Sequence, residues 1–152
     1  MKNKDYEPNI IEFFVKTLNK KIGTHFSFKK SDNPIDDGYV VSTMEKDIPV
    51  QLVDATDGNL KKIIIGEVNK KGVSTYTPLP SIPFIEQAIK LKSNKRYAHS
   101  KELILLIHPS ECDDWVEDGL RYLQSIPEIE NFKSVYVFYP GTKPKLVAIK
   151  GL

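Results

Sequence analysis

The chain has 152 residues, of which 40% are hydrophobic and 28% charged, and its formal net charge is +2 at pH 7. These values are typical of one globular domain with its own core, and the small charge indicates no partner by itself. No apolar run is long enough to cross a membrane, the first nine residues lack the apolar core of a signal peptide, and the one cysteine, Cys112, has no disulfide or zinc partners. We therefore expect a cytoplasmic protein that forms a single domain over residues 1–152.

The first half of the chain predicts one helix and then strands. Between residues 8 and 22, apolar side chains recur at the spacing of one helical face, and Gly23 follows as a stop signal. Three segments rich in β-branched or aromatic residues come next, and a fourth candidate strand follows them: 24–30, 36–44, 48–56 and 61–68. The polar turn Met44–Asp47 makes the second and third strands hairpin neighbours.

The second half alternates helices with strands. Residues 83–97 resume helical spacing, and the continuous apolar run at 102–108 indicates a strand buried on both faces. A helix is predicted over 109–126, followed by two strands at 134–140 and 143–150. Tyr136 and Phe138 alternate on one face of the first of these strands. Core packing explains that pair better than a platform for stacking bases.

This order of elements predicts an α/β sandwich with a mixed central sheet and helices on both of its faces. Strands joined through a helix are expected to be parallel, with a right-handed crossover. The strands of the first half, which are joined by short turns, are expected to be antiparallel.

Carboxylates at strand ends are the first candidates for chemistry. Asp37 stands at the start of one strand and Asp54 at the end of its neighbour, so antiparallel pairing predicts that they face each other at one sheet edge. Two close carboxylates repel, and Mg²⁺, which prefers oxygen ligands, relieves that repulsion and can activate water. Thr56 lies two residues after Asp54, on the same side of the strand. Acids at strand ends are also common turn formers, and that reading stays open.

The segments IDDGYVV and VQLVDAT, whose Asp37 and Asp54 are 17 residues apart, give the chain a resemblance to the restriction-endonuclease-like, or PD-(D/E)XK, nuclease family. The resemblance covers roughly residues 8–140 and implies a core of helix, three-stranded meander, helix and strand. It also implies Mg²⁺-dependent hydrolysis of DNA, with Asp37 and Asp54 as metal ligands. A glutamate on the first helix is frequent in the family, and Glu12 occupies that place.

The chain departs from the family pattern at the motif lysine, which positions or activates the attacking water. With Asp54 in the acid position, Thr56 takes the lysine position and cannot supply its charge. A register three residues earlier places Gln51 and Val53 in the two positions, and such a site would be inactive. Lys90 or Lys92 on the following helix can replace the lysine, and Gln87 can contact a metal-bound water. Glu67, near Lys70 and Lys71, is an alternative acid.

Two hypotheses follow from the sequence. The first is a divergent Mg²⁺-dependent nuclease whose catalytic residues are Asp37, Asp54, Thr56, Lys92 and Glu12. The second is a non-catalytic module that keeps the nuclease-like fold and binds a protein or nucleic acid through a sheet edge or a basic helix. The missing lysine favours the second hypothesis, and the retained acids favour the first.

Overall fold

The computed structural model describes residues 6–31, 37–44, 46–54, 81–94, 100–109, 118–140 and 142–152. One helix precedes three consecutive strands, and helices then precede the fourth and fifth strands, with a short 3-10 turn before each of these two strands. In chain order the elements are α1 (Tyr6–Ile22), β1 (Ser27–Lys30), β2 (Gly38–Val41), β3 (Ile48–Asp54), α2 (Ser81–Asn94), the 3-10 turn Ser100–Glu102, β4 (Ile104–His108), α3 (Asp118–Gln124), the 3-10 turn Pro127–Asn131, β5 (Ser134–Tyr139) and β6 (Lys145–Lys150).

The described strands form one six-stranded mixed sheet in the order β1-β2-β3-β4-β5-β6. The first three strands make an antiparallel meander, β3, β4 and β5 are parallel to one another, and β6 returns antiparallel to β5. The hairpin between β2 and β3 and the parallel strands across the helices agree with the sequence-based prediction. The two parallel strands β4 and β5 are the most enclosed: four of the five residues of β4 are buried and the last is half-buried, and all six residues of β5 are buried.

Helix α1 covers one face of the sheet. Its buried residues follow the helical spacing, and Gly23, with φ of 70°, ends the helix in the left-handed conformation that favours glycine. Phe14 is fully buried, with its ring centroid 5.4 Å from that of Tyr136 and 6.1 Å from that of Phe138 on β5. Tyr136 and Phe138 are therefore core residues, as expected. The helix contacts both terminal strands, β1 and β6.

Helices α2 and α3 cover the opposite face. Phe84, Ile85, Ala88 and Ile89 of α2 are buried in one cluster with Leu123 of α3 and with the residues of β4, β5 and β6 that alternate with those facing α1. The predicted arrangement of a mixed sheet between helices is thus confirmed. The described part of the third predicted helix, residues 118–124, is shorter than the predicted range, whose residues 110–117 lie outside the described residues.

Among the described residues, no helix is both long enough and apolar enough to cross a membrane. The predicted strand at 61–68 lies outside the described residues.

Candidate functional site

Asp37 lies immediately before β2 and forms two hydrogen bonds with the backbone of β3. Its backbone N–H donates to the Val50 carbonyl at 2.9 Å, and the Leu52 N–H donates to its Oδ2 at 2.7 Å. The carboxylate therefore accepts a bond from the strand backbone beside the start of β2. Because Gly38 pairs with Val50, this contact places Asp37 beside Gln51 and Leu52 of β3.

The β3 residues beside Asp37 are not those of an acid-x-Lys motif. Gln51 is buried, with only 3% of its surface exposed, and it brings an amide where the motif has a carboxylate. Val53, two residues later, is partly buried and packs against the apolar cluster below α2 and α3, so it is a core residue. The residue directly across from Asp37 on β3 is Gln51.

Asp54 is the last residue of β3, and its backbone pairs with that of His108 at the end of β4. It lies two residues beyond Leu52, whose N–H contacts Asp37. The side chain of Asp54 lies outside the described residues, and so do Thr56 and the alternative acid Glu67. The predicted approach of the Asp37 and Asp54 carboxylates therefore stays a prediction.

The helix candidates lie at different places around the sheet. Glu12 is exposed on α1, next to the buried Ile11. Lys92 is half-buried near the end of α2, next to Ser93, whose hydroxyl accepts a hydrogen bond from the Asn131 side chain just before β5. Lys92 therefore lies near the amino ends of the parallel strands, whereas Asp54 lies at their carboxyl end. A five-residue strand such as β4 is about 13 Å long, and this length separates the two ends. Topology does not bring these two predicted residues together.

Lys90 and Gln87, also on α2, are half-buried, and Lys90 belongs to a charged cluster with Glu86 and Tyr122. The Lys90 ammonium lies 3.1 Å from Glu86 Oε2, and the Tyr122 hydroxyl donates to Glu86 Oε1. These contacts with Glu86 raise the pKa of both Lys90 and Tyr122. The i,i+4 spacing of Glu86 and Lys90 is readable in the sequence, whereas the contact with α3 depends on tertiary packing. The Lys90 ammonium is thus paired with Glu86 on the surface of α2.

The described residues around Asp37 provide few ligands for Mg²⁺. They offer one carboxylate, which already accepts the Leu52 N–H, a neutral amide at Gln51, and no oxygen at Val53. Mg²⁺ sites in proteins are built from one or two carboxylates with retained waters and substrate phosphates. Within the described part of the chain, no three His, Cys, Asp or Glu side chains converge as a metal site would require.

Comparison with known proteins identifies no relative of this chain. No family model, no curated protein and no solved structure matches the chain.

Proposed function

We propose that this chain is a restriction-endonuclease-like domain without nuclease activity, which serves as a binding module for a protein or nucleic acid. Two features support the fold assignment: α1, an antiparallel three-stranded meander, α2 and a parallel strand follow one another in the order that the resemblance implies, and the sheet keeps them as neighbours.

One contact carries the functional part of the proposal, the hydrogen bond from the Leu52 N–H to Asp37 Oδ2 at 2.7 Å. It places Asp37 beside Gln51 and Leu52, which supports the earlier register, with Gln51 and Val53 in the motif positions. In this alignment an amide replaces the second carboxylate and an apolar core residue replaces the lysine. Neither residue supplies a negative charge to balance a divalent cation, and neither supplies the ammonium that would activate a water molecule.

A plasmid-nicking assay in Mg²⁺ and in Mn²⁺ tests the proposal. Wild type, Asp37→Ala and Asp54→Ala are compared, each after circular dichroism has established that it is folded. We expect no nicking above the buffer level from any of the three proteins. Equal nicking by all three would indicate a contaminating nuclease and is removed by further purification before the comparison is repeated.

The rival function is Mg²⁺-dependent hydrolysis of DNA, with Asp37 and Asp54 as ligands and Thr56, Lys92 and Glu12 assisting. Nicking by wild type that both alanine variants abolish would establish this function and overturn the proposal. Nicking that Asp54→Ala abolishes and Asp37→Ala retains would also overturn it, and would locate the chemistry beyond the end of β3.

A further inference from the structure

We draw no further inference here: the strongest candidate, the exposed outer edge of β1 at one end of the sheet, carries none, because nothing in the structure shows what covers it.

Discussion

The two edge strands of the sheet, β1 and β6, differ in how far they are exposed to solvent. At β6 no residue is exposed, and the Lys21 ammonium of α1 donates to the Leu146 carbonyl at 2.6 Å. The Lys150 ammonium, at the end of the same strand, donates to the Phe132 carbonyl at 2.9 Å. At β1 three of four residues are exposed, and the Lys29 ammonium is directed back into the sheet, toward Asp47 and Tyr39.

This difference shows that edge protection in this fold depends on α1. The helix is anchored on β5 through Phe14, and its last turn then brings Lys21 to β6. Edge strands are commonly blunted by lysine side chains or covered by other elements. The β6 edge has both devices, whereas β1 relies on its short length and its two exposed lysines.

The largest expected effect comes from the anchor of α1. Phe14→Ala should lower the free energy of unfolding by about 3–5 kcal/mol, because it leaves a cavity between the helix and the rings of β5. Phe28→Ala at the half-buried position of β1 should cost clearly less. Urea unfolding of the two variants measures the contrast. Equal losses would mean that both edges depend equally on the core below α1.

A smaller effect is expected at the end of α1. Lys21→Met retains most of the stem but removes the donor to Leu146, which should cost about 1 kcal/mol, the net value of one hydrogen bond. Lys20→Met, one residue earlier and exposed, is the matched control and should change stability by less than about 0.5 kcal/mol. Hydrogen exchange at β6 should accelerate only in the first variant. Identical behaviour of the two would remove Lys21 from the protection of this edge.

The smallest effect is confined to alkaline pH. Burial raises the pKa of the Tyr136 hydroxyl, and the Leu152 N–H that donates to its oxygen at 2.9 Å opposes the rise only in part. A phenol with a raised pKa in the folded protein stabilises the fold below its ordinary pKa of about 10, and this contribution is lost as the pH rises through the folded value. Stability should therefore fall above about pH 10.

Tyr136→Phe should make that alkaline fall shallower, as followed by urea unfolding at intervals from pH 8 to pH 11. Tyr122→Phe is the comparison at an exposed position. The hydrogen bond with Glu86 raises the pKa of Tyr122, and the contact with Glu86 also raises the pKa of Lys90. A pH profile of Tyr136→Phe that coincides with that of wild type would show that the buried phenol does not govern the alkaline limit.

Much of the fold could be predicted from local patterns, and the candidate site could be predicted only in part. The helical face of α1, the hairpin turn at Met44–Asp47 and the apolar strand β4 each depend on the period of nearby side chains. Asp37 could be singled out as an acid at a strand start. The β3 residues beside it, Gln51 and Leu52, could not be singled out, because they depend on the antiparallel register between β2 and β3.

The sequence by itself determined the α/β class, the order of most elements and the residues that build the two apolar faces, because these follow from short-range periodicity and turn chemistry. Tertiary structure alone decided which β3 residues stand beside Asp37, that Lys92 and Asp54 lie at opposite ends of the parallel strands, and that β1 is exposed while β6 is covered. Each of these depends on the pairing of segments far apart in the chain, and local side-chain patterns do not encode that pairing at single-residue precision.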